Sequence, residues 1–345
     1  MNKMDKLLVT QAKLFEHAHS NSTELKPLGF KVKNEGIDTS KYYCNPKFML
    51  LPFDHCETLS SLTEEQMSVL TATYYAMTYA EIASSETLTL KYNLLVTNKI
   101  FETYSDEYMI LFHETAEEID HIITFHNVCK GLLGTGHLMG PQNFERLKPV
   151  SESFSKFESK LCSYGFGAMF LLMRYLLNLA LKQLESFMST NIAKEKIHTT
   201  TQSIIKGHSD DEARHTTTSL QLGFEFFKRA DKYSQSFIRS MLKHSIYTMI
   251  EMRFSAVGDQ YQYSVAKKVL DSALQHSCFE GFGMTADDLE GRWKRQKIIL
   301  IADVSYINSQ RWIAQQIQIL ADLIEIKVNP KSDCFEQYHN FLKVA

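Results

Sequence analysis

The stretch His208-Ser-Asp-Asp-Glu212-Ala-Arg-His215 places two histidines and a glutamate on one side of a helix. At about 3.6 residues per turn, His208, Glu212 and His215 fall within an arc of about 60° over two successive turns. Imidazole and carboxylate groups ligate metals, and burying them without a metal or a partner would be costly. The stretch therefore indicates a metal site on a long helix, the alternative being a polar helix face exposed to solvent.

A second Glu-x-x-His turn, Glu118-Ile-Asp-His121, lies 94 residues upstream of Glu212-Ala-Arg-His215, which leaves room for a whole helix between the two turns. Two such turns on facing helices, with one glutamate from each of two further helices, form the dinuclear carboxylate site of four-helix bundles. The same spacing at Glu16–His19 and Glu336–His339 lies near the chain ends, and we interpret those residues as surface residues. The two inner turns predict these metal ligands: Glu118, His121, His208, Glu212 and His215.

The distribution of helix-breaking residues favours an all-α fold. The chain contains only 6 prolines and 14 glycines, which leaves long stretches free to be helical. A capping box from Thr63 to Gln66 marks the start of the first long helix. Apolar periodicity predicts a ferritin-like four-helix bundle core with helices at 64–100, 106–132, 165–188 and 199–230. On the second helix we expect a buried apolar stripe of Met109, Phe112, Ile119, Ile122 and Ile123.

We expect one domain over the whole chain, 1–345, because its length suits a large helical domain. Residues 1–62 are predicted to be an irregular N-terminal part, and 63–230 are predicted to form the metal-binding four-helix core. Residues 231–345 should add peripheral helices that pack outside this core. The predicted helices of that last part span 233–256, 259–277 and 286–326.

The two remaining helices must each supply a glutamate. Glu185 is the only acidic residue between Gly165 and Met188, so it is the predicted ligand of the third helix. The first helix offers Glu81 and Glu86. Folding the first helix back on the second about a turn near residue 103 brings Glu86 closest in height to Glu118, so we favour Glu86 and keep Glu81 as the alternative.

The donor set predicts the metal. Four carboxylates and three imidazoles are hard to borderline donors, which suit iron or manganese and differ from the thiolates of structural zinc sites. Iron is favoured because this ligand set could support dioxygen chemistry. Acidic neighbours of the ligands could accept hydrogen bonds from imidazole N–H groups: Glu117, Asp120, Asp210 and Asp211. Arg174, in the middle of an apolar segment, is interpreted as half of a buried salt bridge, with the anchoring of a substrate carboxylate as the alternative.

Composition excludes several other classes of protein. The net charge of −3 and the scattered lysines and arginines give no reason to expect nucleic acid as a partner. The most apolar segment, 165–184, carries Arg174, Asn178 and Lys182, which disfavours a membrane span. The six cysteines form no C-x-x-C pair, and residues 1–10 lack the apolar stretch of a signal peptide. We therefore expect a cytoplasmic protein with no membrane partner.

The two turns resemble those of the para-aminobenzoate N-oxygenase (AurF-like) family of non-haem di-iron oxygenases. The chain is similar to that family in having a Glu-x-x-His helix followed by a His-x-x-x-Glu-x-x-His helix, and in the acidic residues Glu117 and Asp211 that precede the two ligand glutamates. It departs from the family in having Glu-Glu where the family has Asp-Glu on the earlier helix. The resemblance covers roughly residues 64–230.

The resemblance implies a function in natural product biosynthesis. It implies two iron ions with O2 as co-substrate, and oxidation of a small-molecule amine to a hydroxylamine and on to a nitro group. It implies an external electron donor, so an electron-transfer reductase is an expected partner, and a homodimer is the expected assembly. Two other readings stay open: oxidation at carbon of an acyl or aromatic substrate, and a non-catalytic iron-binding helical protein.

Overall fold

The computed structural model describes residues 24–46, 49, 61–100, 105–135, 147–189, 193–254, 260–283 and 304–328, together with 16, 336, 338–340 and 342. Over this part of the chain the protein is all-α, and the only extended pairing is a single bridge between Tyr42 and Ile197. The helices are α1 Lys26–Glu35, α2 Glu64–Ile100, α3 Asp106–Leu133, α4 Leu147–Lys160, α5 Ser163–Ser189, α6 Thr199–Arg229, α7 Lys232–Phe254, α8 Gln260–Ala273 and α9 Val304–Leu323.

The predicted long helices are confirmed to within a few residues, as α2, α3, α5 and α6. The capping box at the start of α2 is also confirmed. The Thr63 backbone N–H donates to Gln66 Oε1 over 3.0 Å, and the Gln66 backbone N–H donates to Thr63 Oγ1 over 3.2 Å. These reciprocal bonds satisfy two N–H groups that have no partner inside the helix, which is why the helix begins there. Helix α4 was not predicted, and the predicted helical residues 255, 256, 259 and 286–303 lie outside the described part.

Helices α2, α3, α5 and α6 occupy the centre, with α2 against α3, α5 against α6, and further contacts between α2 and α5 and between α3 and α6. The short connections within each pair make the two helices of a pair antiparallel. Two separate apolar clusters fill the space between the central helices. One includes Phe166, Leu171 and Leu222, and the other includes Tyr75 and Phe125.

The inward face of α3 differs from the prediction. Phe112 is 50% exposed and Ile119 is 46% exposed, so the expected buried stripe is wrong at these two positions. The face that α3 buries carries Glu114, Glu118 and His121 instead. The polar residues of α3 have partners inside the protein, and those partners, more than the apolar residues, determine which side of the helix faces inward.

The prediction of an irregular N-terminal part is wrong over α1. Pro27 lies in the first turn of α1, where a proline costs no hydrogen bond. The Asp120 carboxylate on α3 accepts hydrogen bonds from the backbone N–H groups of Leu25 (2.8 Å) and Lys26 (3.1 Å), and so caps the helix. Close approach of the two helices depends on Gly29, because a Cβ there would lie 2.7 Å from the Thr124 carbonyl oxygen.

Among the described residues one helix, α5, is long and apolar enough to cross a membrane by length and composition alone. Within its most apolar window, 72% of the residues are buried inside the protein. The core helix of a soluble protein has the same length, composition and burial. The four cysteines that the structure describes, Cys44, Cys129, Cys162 and Cys278, are free thiols.

Substituting Gly29→Ala should separate α1 from α3. The new Cβ meets backbone atoms of Thr124 at 2.7 and 2.8 Å, and backbone atoms cannot move aside as a flexible side chain can. We expect the free energy of unfolding in urea to fall by about 1–3 kcal/mol, the usual cost of overpacking. Gly283→Ala is the control, because its added Cβ would meet no described atom within 4 Å. Equal stability of the two variants would contradict the proposed close contact.

Candidate metal centre

The structure brings the side chains of the two Glu-x-x-His turns together in two groups that share Glu212. In the first group, ligand atoms within 4.8 Å of one another come from four residues: Glu86, His121, His208 and Glu212. In the second group they come from three residues: Glu118, Glu212 and His215. These buried groups could hold a metal ion, and Glu212 is a member of both.

Glu86 and Glu81, the two alternatives that the sequence offered on the first long helix, occupy different positions. Glu86 belongs to the first group, whereas Glu81, although buried, belongs to neither group. Glu185 also lies outside both groups. Its Oε1 atom accepts hydrogen bonds from His208 Nδ1 over 2.5 Å and from the Tyr79 hydroxyl over 2.8 Å. Glu185 is therefore next to the centre, but in contact with the outer side of a candidate ligand.

The buried atoms of the two groups fit metal ions. Glu118, His121 and His208 are at most 1% exposed. Glu86 Oε2, Glu118 Oε2 and His121 Nδ1 have no hydrogen-bond partner among the described residues. A buried polar atom without a partner costs free energy comparable to a lost hydrogen bond. Cations coordinated by these oxygens and nitrogens would remove that cost, and no thiolate competes for them.

Each of the three imidazoles has one ring nitrogen towards the groups and the other on a carboxylate of a different helix. His121 Nε2 donates to Asp211 Oδ2 over 3.1 Å, and His215 Nε2 donates to Glu117 Oε2 over 3.0 Å. His208 makes the third such pair with Glu185. Carboxylates in this position fix the tautomer and orientation of a metal-binding imidazole. The nitrogens left facing the groups are Nδ1 of His121, Nε2 of His208 and Nδ1 of His215.

Arg214 connects two of these carboxylates. Its Nη2 group donates to Asp211 Oδ1 over 2.6 Å and also to Glu117 Oε1. The guanidinium offsets the repulsion between two buried negative charges, and so stabilises the pairing of α3 with α6. Of the four acidic neighbours named from the sequence, Glu117 and Asp211 therefore contact imidazoles. Asp120 caps α1 instead, and the Asp210 side chain is exposed.

Arg174 forms the buried salt bridge favoured by the sequence. Its Nη1 group donates to Glu114 Oε2 over 2.5 Å, and its Nη2 group donates to Glu118 Oε1 over 2.6 Å. The sequence prediction did not include Glu114. Its signal was present, however, because Glu114 precedes Glu118 by four residues and so lies on the same face of α3.

The charges around the centre shift the protonation of its members. Burial raises the pKa of Glu118 to about 7, against the lowering effect of Arg174. Burial and His208 lower the pKa of His121, but Asp211 and Glu86 outweigh them and raise it to about 9. Burial alone would also lower the pKa of His208 and His215, yet the adjacent carboxylates raise both well above the usual value. In the metal-free protein the imidazoles therefore carry protons that a metal must displace.

Comparison of the chain with protein-family models finds no match, and comparison with curated protein sequences finds none. The interpretation of the centre therefore rests on its own residues and their geometry.

Metal binding tests the two groups directly. We expect about two divalent cations per chain, since two ligand groups share Glu212. Glu212→Gln should weaken the binding of both ions. The loss of affinity should exceed the roughly 10- to 100-fold that results when a metal ligand loses its hydrogen-bond partner. The measurement is Mn²⁺ or Fe²⁺ binding under anaerobic conditions, followed by elemental analysis. His244→Gln, a change at an exposed histidine, is the control and should keep both ions. Full loading of the Glu212 variant would contradict the shared-ligand arrangement.

The metal-free protein should lose stability as the pH rises. The folded-state pKa of His121, about 9, exceeds its ordinary value of 6.5, so its contribution is complete below about 6.5 and is lost as the pH rises through about 9. The raised pKa of Glu118 acts in the same direction between its ordinary 4.5 and about 7. We expect a lower urea midpoint at about pH 9 than at about pH 6 with a chelator present. Bound metal should reverse this trend, because it needs the deprotonated ligands. If the metal-free protein were more stable at the higher pH, the raised pKa values of His121 and Glu118 would be wrong.

Proposed function

We propose that this protein is a non-haem di-iron oxygenase that oxidises a small molecule with O2, and that the reaction is N-oxygenation of an amine. The observation that carries the proposal is the pair of buried ligand groups that share Glu212. We infer further that α2, α3, α5 and α6 are the core of a ferritin-like four-helix bundle, because such bundles hold dinuclear carboxylate centres between facing Glu-x-x-His turns. The resemblance of those turns to the N-oxygenase family supports the choice of reaction.

The proposed ligand roles follow the two groups. One iron would be held by the first group and the other by the second, with Glu212 between them. Iron suits this set of carboxylate oxygens and imidazole nitrogens, and dioxygen chemistry favours it over manganese. We propose that Glu185 orients His208 by accepting a hydrogen bond from the Nδ1 atom of that histidine. This role replaces the ligand role predicted from the sequence. Asp211 and Glu117 do the same for His121 and His215.

The chain surrounds this centre with groups that exclude water and keep the ligands in place. Tyr79 and Phe125 pack against the His208 ring, with centroid distances of 5.9 and 5.0 Å. Both side chains are completely buried. A dry site of this kind limits side reactions with solvent and strengthens electrostatic interactions inside it. These residues therefore suit a centre that handles a reactive oxidant.

Two bound irons would supply the reduction of O2, with two electrons from an external reductase. One oxygen atom would enter a new N–O bond in place of an N–H bond, and the other would leave as water after taking up two protons. The residues of this chain would hold the metals and exclude bulk solvent.

Turnover with labelled dioxygen tests the reaction. Protein loaded with Fe²⁺ and given a chemical reductant, ¹⁸O2 and a panel of amines and acyl compounds should yield a product with label on nitrogen. Glu212→Gln should reduce product formation by at least about 100-fold, because it removes a ligand shared by both ions. His244→Gln is the control and should retain activity. Label on carbon would support C-oxidation in place of N-oxygenation. Oxidised iron without an organic product would support the hypothesis of a non-catalytic iron-binding protein.

A further inference from the structure

A layer of four polar residues, one from each central helix, lies next to the metal centre. We call Asn93, Glu114, Arg174 and Ser219 the polar layer. Their common height follows from contacts between the helices and from helix register. Glu86 on α2 lies 3.5 Å from His121 on α3, and moving seven residues along each antiparallel helix pairs Asn93 with Glu114.

The other pair of helices gives the same height. His208 on α6 contacts Glu185 on α5, and moving eleven residues along each helix pairs Arg174 with Ser219. The 2.5 Å contact between Arg174 and Glu114 joins the two halves of the layer directly. Glu114 is one turn from Glu118, and Ser219 is one turn from His215, so the polar layer borders the second ligand group.

Beyond the polar layer the interior becomes apolar. Three residues further on in each helix lie Val96, Leu111, Leu171 and Leu222, all at most 4% exposed and all members of one apolar cluster. Apolar side chains thus fill the positions immediately below. Packing alone therefore does not explain why all four helices place a polar residue at the same height.

Four polar side-chain atoms in this layer lack hydrogen-bond partners among the described residues. Both amide atoms of Asn93, Glu114 Oε1 and Ser219 Oγ have no hydrogen-bond partner among the residues that the structure describes. The three side chains are at most 1% exposed. An amide, a carboxylate oxygen and a hydroxyl buried in this way carry an unrecovered desolvation cost. A ligand with hydrogen-bonding groups would recover that cost.

We propose that the polar layer is the subsite for the polar end of the substrate, an inference that rests on the function proposed above. Glu114 Oε1 accepts an N–H or O–H of the ligand, while Asn93 and Ser219 complete its hydrogen bonds. The location suits this role, because the layer adjoins Glu118 and His215 and so holds a group next to the metals.

The charges of the layer select an uncharged ligand group. Arg174 offsets Glu114, and when Glu118 binds metal the remaining Arg174–Glu114 pair is neutral. A cationic ammonium would lose its hydration here without gaining a free counter-charge, and a carboxylate would face the same loss. The ligand class is thus a small molecule with an uncharged N–H or O–H donor, which includes a neutral amine with its lone pair available.

Binding of two isosteric probes tests the subsite without turnover. We would measure the dissociation constants of aniline, which has N–H donors, and toluene, which has none, on protein loaded with Mn²⁺ in the absence of reductant. The wild type should prefer aniline by about ten-fold, and Asn93→Leu and Ser219→Ala should each reduce this preference by about two- to ten-fold, the range for loss of one hydrogen bond. Toluene binding in the same variants reports whether the space remains accessible.

Asn127→Leu is the matched control. Asn127 is also a buried asparagine, but its amide already donates to the Ile123 carbonyl oxygen over 3.0 Å, so its loss should leave the preference unchanged. Should Asn93→Leu exclude both probes, the smaller change Ser219→Ala decides. Equal binding of the probes to the wild type, or an unchanged preference in Ser219→Ala, overturns the proposal.

The two proposals fail separately in these experiments. An Asn93- and Ser219-dependent preference for aniline without any oxidised product would keep the subsite and reject the oxygenase. Labelled product with no preference for aniline would keep the oxygenase and reject the subsite.

Discussion

The pairing of three buried imidazoles with carboxylates from other helices is the constraint on which the rest of the interior depends. His121 on α3 is held by α6, His215 on α6 is held by α3, and His208 on α6 is held by α5. Each pair fixes the rotation of two helices at once, because an imidazole that lost its carboxylate would be left buried and unpaired. The reciprocal pairs between α3 and α6 also fix their relative height, since a shift by one residue would break both. Apolar packing above and below the centre then fills the space that these pairs define.

Much of the fold could be predicted from local signals. The lengths of α2, α3, α5 and α6 follow from the positions of helix breakers, and the start of α2 follows from the capping box at Thr63. The errors arise where tertiary contacts override local pattern. The apolar residues Phe112 and Ile119 do not face inward, because the network on the opposite side of α3 has the stronger requirement for burial. Helix α1 was missed because its capping group, Asp120, is about a hundred residues away in the chain.

The candidate site shows the limits of spacing as a signal. Glu-x-x-His also occurs at Glu195 and His198, where the histidine ring accepts from the Thr201 backbone N–H and caps α6. The same pattern therefore serves as a helix cap in one place and as part of a ligand group in another. What distinguished the inner turns was the additional His208 and the presence of two turns on facing helices. Cross-helix partners such as Arg214 could not be assigned from the sequence, since their roles depend on which faces meet.

Charge balance explains why so many ionisable groups can share one interior. Two arginines, Arg174 and Arg214, face seven buried carboxylates: Glu86, Glu114, Glu117, Glu118, Glu185, Asp211 and Glu212. With neutral imidazoles this network carries a large negative excess, which a low-dielectric interior does not tolerate. Protons on the three imidazoles reduce the excess, in agreement with their raised pKa values. Two divalent cations would instead leave the network within about one charge of neutrality while freeing the imidazole nitrogens for coordination. Protons and metal ions would therefore compete for the same role, and the acidic excess of the network would favour metal ions once they are available.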